Sequence, residues 1–395
     1  MTSIRPIKDP TSARAARAQG WARRPQISRL LLQRLVSRGV LLGLVTASNA
    51  VYGAGDCEHR EPLPIVAGSL RLENDLFLDT DRDYTSGVAL SLTSLSIDGP
   101  LDIQCLPLWA SSFARGIRAI DQQFWTDQSR ERIRQNIVLR LGQAMYTPRD
   151  GTTQDLLRAD RPYAGLLMMG IAWNRRWVDS NNGLQVLDTR ELGLGMIGPA
   201  SLAEQSQNWI HDRIGSERLR GWRNQLGNEP AVLIAAERKE KSSDTPTQPF
   251  GWDWIRSRGL RLGNVESSLV GSIEGRFGWH LPDDFGSYPI RPGADNRPPS
   301  RRGHSPLKNR GIYGFALLEA KALAWDFSLD GNMLRDSHRV ERKPLQAQVA
   351  LGMSGHGVLI DQPFKLTLMR VWRSKEFSGQ VGEHGFVSLM ASTEW

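Results

Sequence analysis

Residues 72–87 read LENDLFLDTDRDYTSG: five carboxylates, an Asn and the hydroxyls of Thr80, Thr85 and Ser86, set between two alternating apolar runs. Two strand-like segments converging on so polar a cluster raise the question of what chemistry would use it. A solvated turn has much the same composition, so this stretch does not define a site alone. The second candidate is His211, one of seven histidines and the one that falls in a helical insertion, with Asp212 beside it and Glu217 six residues on. Imidazole titrates nearest neutrality of the side chains, which suits a general base activating water. In an unbroken helix, 100° per residue would set His211 and Glu217 about 120° apart. They meet around one site only if the helix breaks, as Gly215 allows. Spacing alone leaves a polar surface histidine as the competing reading. The G-x-S-x-G, H-E-x-x-H, P-loop and C-x-x-C patterns are absent.

The elements that must carry these residues are strands. After residue 60 the chain runs in short segments of period two, punctuated by Gly, Pro, Asn and Asp. Strands are expected near 68–77, 85–95, 134–146, 163–177, 184–197, 230–239, 250–260, 265–279, 312–328, 342–354, 364–374 and 384–395. No run of eighteen apolar residues predicts a membrane helix. A membrane barrel stays open, because barrel strands alternate lipid-facing and lumen-facing residues and mean hydropathy stays low. The C-terminal GFVSLMASTEW is an amphipathic strand closing on Trp395, as outer-membrane barrels commonly end. Tyr163, Trp173, Trp177, Trp252, Trp254, Trp279, Trp325 and Trp372 recur near run ends, where an aromatic girdle would sit. The fold class is therefore all-β, a transmembrane antiparallel β-barrel of about twelve strands with a short helical insertion (203–226) in an extracellular loop. With both termini on one side, the loops between strands 1 and 2, 3 and 4, and 5 and 6 share the other rim. Those loops hold the opening cluster, residues 145–165 and His211. Parity assigns the partly helical 100–132 and the Pro- and Arg-rich 281–311 to the terminus side.

The two ends add localisation. Residues 1–38 hold nine Lys/Arg against Asp9, which accounts for the whole formal charge of +8. The remaining chain is neutral, and nucleic acid is not an expected partner. GVLLGLVTASNA (39–50) follows, so 1–50 reads as a signal peptide with a long basic n-region. Residues 51–66 then form a periplasmic N-terminal segment and 67–395 one barrel domain. Export makes Cys57 and Cys105, the two cysteines, candidates for one disulfide, although spacing does not fix the pairing.

ENDLFLDTDRDYTSG (73–87), QAMYTP (143–148), DRPYAG (160–165) and IGPASLAEQSQNWIHDRIGSE (197–217), followed by GNV (263–265) and DDFG (283–286), resemble in order and type the motifs of the outer-membrane lipid A 3′-O-deacylase family. The resemblance spans about residues 65–395. It implies a twelve-stranded barrel in the bacterial outer membrane that hydrolyses the ester holding the 3′ acyloxyacyl group of lipid A, with Ca2+. Carried over motif by motif, the implied catalytic residues are Asn74, Asp75, Thr85, His211 and Glu217. His211 is then the general base, Asp75 and Glu217 are candidate Ca2+ ligands, and Asn74 and Thr85 position water or substrate. The implied partner is lipid A or lipopolysaccharide, met by a monomer whose site faces the extracellular side. The chain departs from the pattern in its long N-terminal extension, its 281–311 loop, and Trp209 and Ile210 beside His211. The alternatives are an outer-membrane phospholipase or esterase of other lipid specificity, and a non-catalytic barrel or pore.

Overall fold

The computed structural model describes residues 63–75, 83–99, 102–126, 133–242, 249–291, 307, 309–382 and 384–395. The signal peptide and most of the 51–66 segment fall outside them, as do residues 76–82 of the opening cluster.

Twelve long strands form the wall: β1 Ile65–Asn74, β2 Asp83–Ser94, β3 Arg134–Thr147, β4 Ala164–Val178, β5 Gln185–Ile197, β6 Glu229–Lys241, β7 Phe250–Gly263, β8 Glu266–Trp279, β9 Gly311–Asp326, β10 Leu345–Leu359, β11 Gln362–Arg373 and β12 His384–Glu394. Each pairs antiparallel with the next, and β12 pairs with β1 from Ala67↔Glu394 to Asn74↔Val387, so the sheet closes into a barrel without edges. A two-residue rung, Ile97–Asp98, adds to β3. Each expected strand is present, the first beginning two residues before the expected domain start.

Alternation decides which way each residue faces. Met169, 66% exposed, heads a row of outward residues that includes Leu141, Leu194, Leu269, Ile273, Leu351 and Met353. Their neighbours along the strands, such as Arg140, Glu191, Glu274, Arg276 and Glu319, turn into the lumen. An apolar outer band around a polar interior is the inversion that a bilayer requires. No helix among the described residues is long and apolar enough to cross a membrane.

The segment expected as a terminus-side loop does not stay there. Residues 281–291 fold back into the lumen, because charges on the inner wall match theirs. Asp283 accepts from Arg176 (2.6 Å) and Lys241 (2.8 Å), and Asp284 pairs with Lys365 (2.5 Å) and Arg276. Arg291 reaches Glu237 (3.0 Å) and Glu319 (2.9 Å), while the Ile290 N–H donates to Glu73 (2.6 Å). Beside this plug Tyr84, Tyr288, Tyr313, Phe315 and Phe386 make an aromatic core.

Helices α1 (Leu108–Ile120) and α2 (Gln123–Thr126) occupy the segment expected to be partly helical, and lie against the outside of the barrel. Ile137 of β3, Trp173 of β4 and Arg190 of β5 stand opposite one another on one face, four residues along from the exposed Leu141, Met169 and Leu194. Ile137 and Trp173 are nevertheless buried, packed against Ala110, Ala114, Ile117 and Trp125 of this helix pair. This corrects the expected girdle. Trp252, Trp279 and Trp372 are exposed, but Trp173 and Trp177 are covered, Tyr163 packs against Trp222, and Trp325 is buried with its Nε1–H donating to the Asn264 carbonyl. Cys105, just before α1, is in a disulfide. The sequence has one other cysteine, Cys57, which lies outside the described residues.

Candidate functional site

The site begins where β1 ends. Asn74 shares the outward parity of Leu70 and Leu72, and Arg71 and Glu73 face inward. Asp75 follows the strand end, is fully buried, and donates its N–H to the Thr85 carbonyl (3.3 Å). Across from it, the β2–β3 ladder jumps from Tyr84↔Tyr146 to Ser86↔Met145, leaving Thr85 as the extra residue of a bulge. The bulge turns Tyr84 into the lumen, where its hydroxyl donates to Glu73 (2.9 Å), and lets Thr85 Oγ1 meet Thr147 Oγ1 at 2.6 Å. Asn74, Asp75 and Thr85 are thus brought to one stretch of rim.

Helix α3 (Ala203–Ile214) delivers His211. Ala203, Gln207 and His211, four residues apart, form its buried stripe. Its opposite face exposes Trp209, and Ile214 is exposed at the helix end, as on a helix at a lipid boundary. Ala203 packs with Met145 of β3, which has the outward parity of Leu141, so α3 lies on the outer wall and not in the barrel mouth. Gln143, two residues before Met145, donates from Nε2 to the Ser201 carbonyl (2.6 Å), and Trp222 Nε1–H donates to Gln207 Oε1 (2.7 Å).

The helix ends as Gly215 requires: the glycine takes φ 74°, and Ser216 N–H donates to the His211 carbonyl (3.0 Å). The exposed Arg218 guanidinium hydrogen-bonds Asp212 at 2.5 and 2.8 Å, which holds the Asp212 carboxyl below the usual carboxylate range and fixes the turn. The reversal returns residue 217 to His211, but through its backbone. His211 Nδ1–H donates to the Glu217 carbonyl at 2.5 Å, while the Glu217 carboxylate is exposed. That bond selects the tautomer whose Nε2 carries the lone pair, the form a general base needs. His211 itself is 4% exposed.

The DRPYAG motif does structural work. Asp160 accepts from Arg149 N–H (2.8 Å), Arg161 pairs with Glu376 (2.5 Å), and Tyr163 packs on Trp222 at 5.1 Å. Gly165 leaves room for the loop ahead of α3: a Cβ there would stand 2.2 Å from Ser201 Oγ and 2.4 Å from Ala203 Cβ. Gly165→Ala is therefore expected to lift α3 from the wall. Any activity that depends on His211 should fall roughly 10²-fold, the scale of a 1 Å misplacement, while heat-modifiable gel migration of the folded barrel persists. Unchanged turnover in G165A would show that this contact does not position the site.

The donor set fits a hard cation: the Asp75 carboxylate with the Asn74 carbonyl and the Thr85 and Thr147 hydroxyls. Among the described residues, no three His, Cys, Asp or Glu side chains gather as a metal cluster, so neutral oxygens would have to supply most of the coordination. Thr147, Gln207 and Trp222 were not singled out in the sequence. A signal existed for two: Thr147 lies in QAMYTP, and Gln207 is four residues before His211.

A closed twelve-stranded antiparallel barrel with an apolar outer band is an outer-membrane type of fold. The sequence matches the family described as outer membrane protein LpxR over residues 40–395, and the chain belongs to that family of bacterial outer-membrane proteins. Among solved structures, LpxR from Salmonella typhimurium superposes with a TM-score of 0.59 at 16% identity, covering 83% of this chain and 100% of that one, a likeness of fold. The beta domain of the Bordetella autotransporter BrkA gives 0.40 at 8% identity, covering 84% and 98%. Among curated proteins, none matches.

Proposed function

We propose that the chain hydrolyses the ester joining the 3′ acyloxyacyl group to lipid A, with His211 as general base. The observation that carries this reading is the position of His211. It faces the outer wall of the barrel, fixed in one tautomer by the Glu217 carbonyl. A lipid lying beside the barrel reaches such a site without leaving its leaflet. His211 Nε2 takes a proton from water as the water oxygen attacks the ester carbonyl. The C–O bond then breaks, and the sugar oxygen recovers a proton as it leaves. Asn74 and Thr85 position water and substrate, and Asp75 with its neighbouring oxygens would hold Ca2+. Bound Ca2+ would supply positive charge where the carbonyl oxygen becomes negative. Glu217 acts through its carbonyl on His211 in this scheme, and its exposed carboxylate is free to turn toward the ion or solvent. One chain carries every residue named, so a monomer suffices. The site rim is taken as extracellular, the side on which lipid A resides.

Chelation tests the scheme. Outer membranes containing the protein are expected to lose deacylation by roughly 10²–10³-fold in chelator, the scale of removing one oxyanion-stabilising group, and to regain it with added Ca2+. Equal lipid A mass spectra with and without chelator would remove Ca2+ from the mechanism.

A further inference from the structure

The lumen plug reaches the candidate site from behind. We propose that Glu73 is a positioning residue, the tie by which residues 281–291 brace, from inside the barrel, the strand ends that carry Asn74, Asp75 and Thr85. For its effect on rate, this rests on the reading of that rim as catalytic.

Glu73 faces the lumen one residue before Asn74 and is 1% exposed. Its two carboxylate oxygens accept from two different elements. Oε1 takes the Ile290 N–H (2.6 Å) and Oε2 the Tyr84 hydroxyl (2.9 Å). The first donor belongs to the plug, and the second stands one residue before Thr85. Hydrogen bonds to a carboxylate are among the strong ones, and burial strengthens them further.

The local sequence makes room for this junction. Glu73 pairs with Gly87 across the β1–β2 ladder. A Cβ at Gly87 would collide with the Tyr84 hydroxyl and stand 3.2 Å from Ile290 Cδ1. The missing side chain therefore gives both the hydroxyl and the plug their approach to Glu73, and the bulge at Thr85 aims Tyr84 at it. Tyr84 is held in turn by Phe386, edge-on at 4.9 Å, and by the Arg373 guanidinium 4.9 Å over its ring.

The plug end is fixed as firmly. Ser287 N–H donates to Glu274 (2.9 Å), and Arg291, the neighbour of Ile290, spans Glu237 of β6 and Glu319 of β9. Arg140 of β3 donates to the Arg291 carbonyl (3.0 Å). None of these strands adjoins β1, so the tip of β1 cannot shift against the wall without breaking a bond to Glu73. Asn74 follows Glu73 directly, and Asp75 N–H donates to the Thr85 carbonyl (3.3 Å). One carboxylate on the lumen side thus sets where all three groups stand on the rim.

Hydrogen–deuterium exchange of the folded full chain in detergent, read at single amides, is one arm of the test. Tyr84→Phe, Gly87→Ala and Ile290→Pro each undo one side of the tie, and heat-modifiable migration reports whether the barrel has closed. The Asp75 amide should exchange at least about tenfold faster in each, while the Leu141 amide in mid-wall keeps its wild-type rate. The other arm is lipid A turnover. There kcat should fall roughly tenfold or more with KM held within about twofold, the pattern of a transition state less well met. Y84F/G87A should be no slower than Y84F, because both changes break the same bond. Y84F removes a single oxygen and decides the matter if the other variants do not fold. An unchanged Asp75 rate in folded Y84F, a raised rate with unchanged kcat, or losses that multiply in Y84F/G87A would each overturn the proposal. A wild-type protein inert on lipid A would instead sink the deacylase reading, and the exchange arm alone would then decide whether the plug braces the rim.

Discussion

Replacing His211 by alanine is expected to lower lipid A deacylation by about 10²–10⁴-fold, the range that a positioned general base contributes. The barrel should be untouched, because His211 lies on a rim helix and makes none of the interstrand pairs that close the wall. A second substitution separates the proton-transfer role from simple packing. His211→Gln keeps a polar side chain able to reach the Glu217 carbonyl but has no group that accepts a proton near neutral pH. H211Q should therefore be as inactive as H211A, with the gel shift of a folded barrel. An H211Q protein retaining more than about a tenth of wild-type turnover would contradict a base at this position.

The second large effect concerns stability. Arg161 and Glu376, both buried, tie the β3–β4 loop to the β11–β12 loop at 2.5 Å. Burial alone would raise the Glu376 carboxyl, but Arg161, then His384 and Arg373, outweigh it and hold the pKa at about 2 against an ordinary 4.5. A depressed folded pKa adds stability above the unfolded value. The contribution is complete above about 4.5 and is lost as pH falls through about 2. Arg161→Ala leaves a buried carboxylate with weaker partners, Arg373 at 3.6 Å and His384 at 3.4 Å. Such a break typically costs 3–5 kcal/mol, and the remaining cations should keep the loss near ~3 kcal/mol. With Arg161 gone, Glu376 takes up its proton at higher pH, so the acid loss of stability should begin nearer neutrality. Urea unfolding followed by gel migration between pH 3 and 7 would show both effects. Parallel R161A and wild-type curves would mean that the pair carries little of the rim's stability.

The barrel was legible in the sequence because a wall facing lipid outside and charge inside must alternate strictly. Leu141 could not be moved one place either way without putting Arg140 or Gly142 in lipid. The site was legible in its parts. Gly215 allowed the helix to end and residue 217 to return, and the bulge at Thr85 lets neighbours of opposite parity share one rim. What could not be read was the contact by which Glu217 joins His211, since spacing does not distinguish a carboxylate from a backbone carbonyl. The lumen plug was hidden for a related reason. Asp283, Asp284 and Arg291 look like a solvated loop until Arg276, Lys365, Glu237 and Glu319 are brought round them by strands far away in sequence. Trp173 read as girdle because alternation reports which side of the wall a residue faces, and not what covers that side.

Position-resolved tandem mass spectrometry of lipid A treated with the purified protein and Ca2+ bears most directly on a catalytic site on the lipid-facing wall. The expected product lacks the acyl pair carried by the 3′ oxygen, with every other chain in place and none of this seen for H211A. Intact lipid A beside fatty acids released from glycerophospholipid, or loss of acyl groups from another position, would contradict the proposed reaction.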